Sequence, residues 1–279
     1  MVSLKCCWNT FLKWRGNPKI RVVCAFLFFY LHDTLSPIRA FCKEVGYSVN
    51  PWLFPHLFSN GIVSLLLTLA LVLFLCDAPF LDQQQVFVLL RTGRYTWAVG
   101  QMLYVVFASF VYFFIIFLLS ILLTLPYSQP GADWGKVIET LSRAGSSYSF
   151  GTISFSFNVV SSYPAVTATF LSFALMWGVG IFLGLFLFLA NLWLGKPLGV
   201  GIATGFVLLP PMFHFDMVYR YLHLSPVSWG NLSLILSGYD ARLTAAWACR
   251  GLILCDTVLA ALILLTIHKY ELTTREEDL

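Results

Sequence analysis

Charged side chains are scarce and unevenly placed in this sequence of 279 residues. Asp, Glu, Lys and Arg make up 11% of the chain, against roughly 25% in average soluble proteins. None of them occurs in three long stretches, at 45–76, 95–132 and 144–195. Because 59% of the residues are hydrophobic, the few polar side chains could not cover the surface of a soluble globule. These absences exclude a soluble enzyme, a nucleic-acid-binding module and a disordered chain.

Signatures of catalysis and metal binding are also missing. The chain has no GxxxxGK[ST] phosphate loop, no GxSxG serine setting and no HExxH pair. Its seven cysteines include no CxxC pair, so we expect free thiols. His214 and Asp216 leave a metal or proton-relay role open beside the simpler interpretation as residues at the membrane surface. We therefore expect no enzyme activity, no metal site and no cofactor bound by this chain.

Long apolar runs are the main positive feature of the sequence. A membrane-spanning helix needs about 20 mostly apolar residues. The runs predict an all-α, polytopic membrane protein with a single transmembrane domain over 1–279, in which 1–19 is an interfacial segment, 20–268 holds six spans and 269–279 is a cytoplasmic tail. The six predicted spans are 20–38, 57–76, 97–125, 165–193, 197–215 and 247–268. The first is the weakest, because His32 and Asp33 interrupt it.

The distribution of Lys and Arg predicts the orientation, since basic residues are enriched on the cytoplasmic side. With the N-terminus inside, the inner segments hold ten basic residues and the longer outer segments hold seven. We therefore expect a multi-pass protein of the cell membrane with both termini in the cytoplasm. Before the first span, apolar residues such as Trp8 and Phe11 fall on one side of a helix, and Lys5 and Lys13 fall on the other. This pattern favours an interfacial helix; an unstructured basic tail is the alternative.

Several glycines are spaced four residues apart in the predicted spans, a spacing that lets membrane helices approach closely. Contact within one chain and contact with a partner both explain them. The expected packing positions are Gly178, Gly180, Gly184, Gly201 and Gly205.

Two outer segments carry weaker patterns. Apolar and polar residues alternate over 153–159, which indicates a short strand or an interfacial loop. The triplet Asn231-Leu232-Ser233 matches a glycosylation acceptor, although such triplets are common by chance.

The stretch from Phe87 to Gln101 places Arg91, Gly93, Arg94 and Trp97 directly before the third span. A short helix here would lie across the cytoplasmic face, where its charged side could meet a soluble partner. An ordinary basic anchor of the span explains the same residues.

Taken in order, these parts resemble the membrane subunit of ABC-2-type (type V) ABC exporters. That family has an interfacial helix before span one, a coupling helix between spans two and three, a tight turn between spans four and five, and an outer hairpin region before span six. The matching stretches here are 1–19, 89–97, 195–197, 224–229 and 269–279. The outer loop 126–164 is longer than that family usually shows.

The resemblance implies a permease subunit that forms a translocation path, for export, together with a second permease subunit, identical or different. ATP and Mg would be held by a separate ATP-binding subunit. Contact with that subunit would fall to Leu89, Leu90, Arg91, Gly93, Arg94 and Trp97. Two alternatives stay open. A secondary transporter would often show charge pairs within its spans, and a polytopic membrane enzyme would need clustered His, Asp or Glu.

Overall fold

The computed structural model describes residues 2–80, 83–144, 153–212, 224–238 and 243–269. These residues form helices and turns without a strand; isolated bridge residues are Val49, which pairs with Ser128, and Ile153. The α-helices are α1 Val2–Leu12, α2 Pro18–Val45, α3 Phe54–Leu57, α4 Gly61–Leu75, α5 Gln83–Thr92, α6 Arg94–Thr124, α7 Gly135–Arg143, α8 Phe157–Ser162, α9 Ala165–Leu194, α10 Lys196–Met212, α11 Leu232–Leu236 and α12 Ala245–Lys269. The predicted all-helical class is confirmed for this part of the chain.

The six longest helices, α2, α4, α6, α9, α10 and α12, run in alternating directions between two ends of one bundle. At one end, Lys19 at the start of α2 contacts Asp77 just beyond α4. Asn191 near the end of α9 bonds the backbone there too. Because α1 also packs here, we call it the α1 end. At the opposite end, called the α7 end, the Val49 amide donates to the Tyr127 carbonyl oxygen.

Three helices in the described part of the chain are long and apolar enough to cross a membrane: α6, α9 and α12. They coincide with the predicted spans 97–125, 165–193 and 247–268. Their burial differs sharply. In the most apolar stretch of α9, 67% of the residues are buried inside the chain, whereas in that of α12 only 17% are buried. Helix α9 contacts α4, α6, α10 and α12, and is therefore the centre of the bundle.

The predicted count of six spans is wrong by this criterion. Helix α4 has 15 residues and α10 has 17, so at about 1.5 Å per residue each falls short of a hydrocarbon core of about 30 Å. Helix α2 is long, but His32 and Asp33 end its apolar run after Leu31. These three helices lie beside the long apolar helices and complete the bundle.

The N-terminal segment is a helix rather than an unstructured tail. Helix α1 covers Val2–Leu12 and is followed by a 3-10 turn at Lys13–Arg15. Its buried residues are Cys6, Cys7 and Thr10, whereas Trp8 remains 64% exposed. The apolar side that the sequence indicated is thus divided, with one part packed on the bundle and one part facing outward.

Short helices close the α7 end. The alternation over 153–159 does not form a strand, because α8 begins at Phe157 and Val159 packs into the core. Asn231 is buried there, and its side-chain amide donates to the Phe58 carbonyl oxygen at 2.6 Å. Its Oδ1 accepts from the first amides of α11. An asparagine held in this way is not available as a glycosylation acceptor in the folded chain.

Candidate functional site

The turn between α4 and α5 is fixed by a side chain from another helix. Asn191 is buried near the end of α9, and its Nδ2 donates to the carbonyl oxygens of Cys76 at 3.0 Å and Ala78 at 2.6 Å. These carbonyls follow the last turn of α4, where a helix leaves its final acceptors without internal partners. One amide therefore holds the end of α4 against the end of α9.

The same asparagine contacts the start of α10. A Cβ atom placed on Gly199 would lie 2.1 Å from Oδ1 of Asn191, so any larger residue at this position would displace the Asn191 amide. Gly195 joins α9 to α10 with φ +85°, a backbone conformation that side-chain-bearing residues rarely adopt. The ends of α4 and α9 and the start of α10 thus meet around Asn191.

An ion pair also lies at this end. Nζ of Lys19 lies 2.6 Å from Oδ2 of Asp77, and both side chains are partly exposed. This hydrogen bond to the carboxylate is the main cause that raises the pKa of the Lys19 ammonium. At this exposure the pair contributes little to stability, but it places two opposite charges beside the turn.

Helix α1 is locked onto the beginning of α6. A Cβ atom on Gly100 would come within 2.7 Å of the Cys6 Cβ and 2.9 Å of the Ser3 carbonyl oxygen, so the two helices approach backbone to backbone. The indole Nε1 of Trp14 donates to the Tyr104 hydroxyl at 2.8 Å. A movement of the first turns of α6 would therefore carry α1 with it.

Helix α5 has one packed side and one exposed side. Val88 and Leu89 pack against the core, whereas Arg91 is exposed and Phe87 is 73% exposed. Phe87 and Arg91 are four residues apart and so lie next to each other on the helix surface. An exposed phenylalanine beside an exposed arginine offers an apolar anchor and a charge to a partner.

The structure places some of the predicted coupling residues on the surface and others in the core. Gly93 joins α5 to α6 with φ +82°, and the exposed Arg94 begins α6. Trp97 is fully buried and its ring faces that of Phe188, so it anchors α6 instead of facing outward. The side chain of Leu90 lies outside the described residues. Phe87 was not predicted as a coupling residue. Its position one helical turn before Arg91 could have indicated it, because residues four apart lie next to each other on a helix surface.

The five predicted packing glycines also fall into two groups. Cβ atoms on Gly178, Gly180 and Gly184 would meet side chains of neighbouring helices within 3.1 Å. Gly201 and Gly205 have nothing within 4 Å among the described residues and lie on an exposed face of α10. Contact within the chain thus accounts for the first group only.

One histidine at the α7 end has unusual surroundings. His56 is fully buried between the rings of Trp134 and Phe155, with ring centroids 5.1 and 5.0 Å away. Neither ring nitrogen has a hydrogen-bond partner among the described residues. Burial lowers the pKa of the imidazole to about 3, so the ring is neutral at physiological pH.

The cysteines and the pair His214 and Asp216 are the remaining predicted features. All seven cysteines are free thiols, as expected. His214 and Asp216 lie outside the described residues. Comparisons with protein-family models, curated proteins and solved structures give no match to this chain.

Proposed function

We propose that this chain is the permease subunit of an ABC exporter of the ABC-2 type, which moves its cargo with energy from a separate ATP-binding subunit. The observation that carries the proposal is α5, a short helix at one end of the bundle with an outward-facing side. Phe87 and Arg91 form that side. A soluble subunit docked there would need an apolar anchor and a charged contact, and α5 has both.

The way in which α5 is joined to the bundle would let a movement of α5 pass to the long helices. Gly93 is the joint between α5 and α6, and Trp97 fixes the following turn in the core. A displacement of α5 would therefore reach α6, which contacts α1, α2, α9 and α12. In this proposal, ATP binding and hydrolysis by the partner bias the bundle between two arrangements through that path.

Charge supports the proposed orientation. More of the described basic residues lie at the α1 end, in α1, the start of α2, the end of α5 and the starts of α6 and α10, than at the α7 end, where Arg39, Lys43, Lys136 and Arg143 lie. Since basic residues favour the cytoplasmic side, α5 would face the cytoplasm, where ATP is available. The chain would then be a multi-pass protein of the cell membrane with its N-terminus inside.

A second permease subunit is the proposed partner within the membrane. The surface of α10 that carries Gly201 and Gly205 also exposes Leu198 and Ile202. Small residues on a lipid-facing helix allow another helix to pack closely. This surface suits a second copy of the chain or a related subunit.

The decisive experiment is isolation of the complex from its host in mild detergent, followed by labelling of Cys76 with a maleimide. Cys76 lies at the end of α4 and is partly exposed. We expect a Walker-motif ATPase to co-purify, and ATP to change the labelling rate. The double variant Arg91→Ala/Arg94→Ala should still hydrolyse ATP without that change, and its thermal unfolding should be unaltered.

A matched control is the double variant Arg15→Ala/Arg21→Ala, which removes two exposed charges at the same end but outside α5. It should behave like the unmodified protein. Recovery of the chain alone, or a normal response to ATP in the α5 variant, would remove the proposal.

One observation favours a secondary transporter as the second candidate. Asp256 lies in the middle of α12, and in the described part of the chain its Oδ1 is buried without a hydrogen-bond partner. Carboxylates within membrane helices often bind protons or ions during transport. Cargo movement driven by a proton gradient, without any ATPase subunit and abolished by Asp256→Asn, would favour this candidate.

A further inference from the structure

Helix α7 and the turn before it form a small unit at the α7 end, which we call the cap and define as residues 131–143. Its inner side is apolar, because Val137, Ile138 and Leu141 are buried. Its charged side chains are all exposed: Asp133, Lys136, Glu139 and Arg143. The cap therefore covers the bundle with an apolar side and faces outward with a charged one.

Side-chain hydrogen bonds fasten the cap to its surroundings. Nδ2 of Asn50 donates to the Asp133 carbonyl oxygen at 2.6 Å, and the Trp52 indole donates to the Gly131 carbonyl oxygen at 2.7 Å. Both of these bonds are exposed, so water can replace them at little cost. Because α7 has only nine residues, the cap can separate from the bundle while the long helices stay folded.

His56 lies directly beneath the cap. Its ring is fully buried, 5.1 Å from the ring of Trp134 in the cap and 5.0 Å from that of Phe155. Neither ring nitrogen has a hydrogen-bond partner among the described residues. An imidazolium in this place would lose its water and gain no acceptor, which is costly for a buried charge.

The elements around His56 supply no opposite charge. Helices α3, α8 and α9 come from the stretches 45–76 and 144–195, which contain no charged residue, and α11 contains none either. The part of α6 after Arg94 also lacks charge. In the cap, the carboxylates of Asp133 and Glu139 are exposed, and the hydroxyl of the neighbouring Tyr163 is neutral in acid. Burial without a counter-charge lowers the pKa of His56 to about 3.

We propose that the cap is an acid-sensitive closure of the α7 end, which opens when His56 takes up a proton and leaves the long helices folded. In the open form the imidazole meets water and has an ordinary pKa of about 6.5. The open form therefore binds more protons than the closed one below about pH 6.5, so the closed form is favoured at neutral pH and loses stability as the pH falls. From pH 7 to pH 5 the ratio of open to closed protein should rise about 25-fold. In the proposed orientation the α7 end lies outside the cytoplasm, so the cap would respond to the acidity of the exterior.

The test is hydrogen–deuterium exchange of the full-length protein in neutral detergent, read by mass spectrometry at pH 7 and pH 5. Labelling times are scaled so that the chemical exchange of an open amide is equal at the two pH values. We expect the protection of amides in α7 to fall about 25-fold at pH 5, while the amides of α9 keep theirs. The acid response does not require an ATPase partner, so it can be measured on the isolated chain.

Variants of the histidines separate His56 from general effects of acid. His56→Phe and His56→Gln are neutral at both pH values, and both should abolish the acid response of α7; the second serves if the first does not fold. His32→Gln removes an exposed histidine on α2 and should keep the response. An acid response that persists in both His56 variants would overturn the proposal, as would an equal loss of protection in α9, since the whole chain would then unfold. Stronger protection of α7 at pH 5 would overturn it too, because Trp134 and Phe155 would then stabilise the imidazolium through their ring faces.

Discussion

Gly184 is where the central helix α9 lies closest to side chains of two neighbouring helices. A Cβ atom at this position would lie 2.4 Å from Cγ1 of Val105 on α6 and 3.0 Å from Cδ1 of Leu75 on α4. Gly184→Ala therefore forces both side chains to move within a packed core. Overpacking of this kind costs about 1–3 kcal/mol, and we expect the free energy of unfolding to fall by that amount.

Gly201→Ala is the matched control for this prediction in the monomeric protein, because it makes the same replacement in a helix with nothing within 4 Å in the described chain. Alanine is the better helix former by roughly 0.5–1 kcal/mol, so this variant should be unchanged or slightly more stable. Together the two variants should differ by about 1.5–4 kcal/mol.

The measurement is reversible unfolding of the purified protein in mixed micelles, followed by tryptophan fluorescence as the fraction of denaturing detergent rises. Both variants are compared with the unmodified chain in the same lipid and at the same protein concentration. Equal stability of the two variants would refute the reasoning that close helix approach at Gly184 is what requires glycine there. Loss of a dimer in Gly201→Ala alone would instead support contact of α10 with a second subunit.

Three further predictions concern the turns and the buried histidine. Asn191→Leu removes the side-chain donor to the part-buried Cys76 carbonyl and the buried Ala78 carbonyl and should cost about 1–3 kcal/mol in unfolding experiments, whereas Asn9→Leu on the exposed side of α1 should not. Gly93→Ala places a side chain at φ +82°, and should cost about 1–3 kcal/mol and reduce the response to ATP described above. The lowered pKa of His56, about 3 in the folded chain, means that the unfolded chain binds more protons below about pH 6.5, so stability should fall on acidification. Between pH 7 and pH 5 the loss should be about 2 kcal/mol in unfolding experiments, and His56→Phe should remove it; an unchanged pH profile in that variant would contradict the assignment.

The sequence alone correctly predicted that the fold is all-helical. Residues 95–132 and 144–195 contain no charged side chain, and α9 and all of α6 except Arg94 lie in these stretches. Both helices begin and end within a few residues of the predicted span limits. This succeeds because a membrane helix must satisfy its backbone internally over about 20 apolar residues, which leaves a local signal. The same signal misled for α4, because the predicted span 57–76 included Leu57 and Phe58, which lie before Asn60 caps the start of that helix.

Other features depended on contacts that no local pattern contains. The helical N-terminus was expected, but the side of α1 that is buried was set by Gly100 on α6, ninety-four residues beyond Cys6. The glycines of α9 and α10 have the same spacing in sequence, yet Gly184 is enclosed and Gly205 is open. Spacing shows which residues share a helix face, whereas only the packed bundle shows what that face meets.

The sequence by itself predicted a helical chain with segments long and apolar enough to cross a membrane, and it marked a basic stretch before α6. Composition and the length of the apolar runs are enough for this prediction, because any helix that crosses lipid needs about 20 mostly apolar residues. The tertiary structure decided which residues of that stretch are exposed: Trp97 is in the core, and Phe87 faces outward. It also decided that Asn191 joins three helix ends into one assembly. The physical reason is that a buried amide bonds whatever carbonyls the fold brings to it, and these carbonyls lie more than a hundred residues away in the chain.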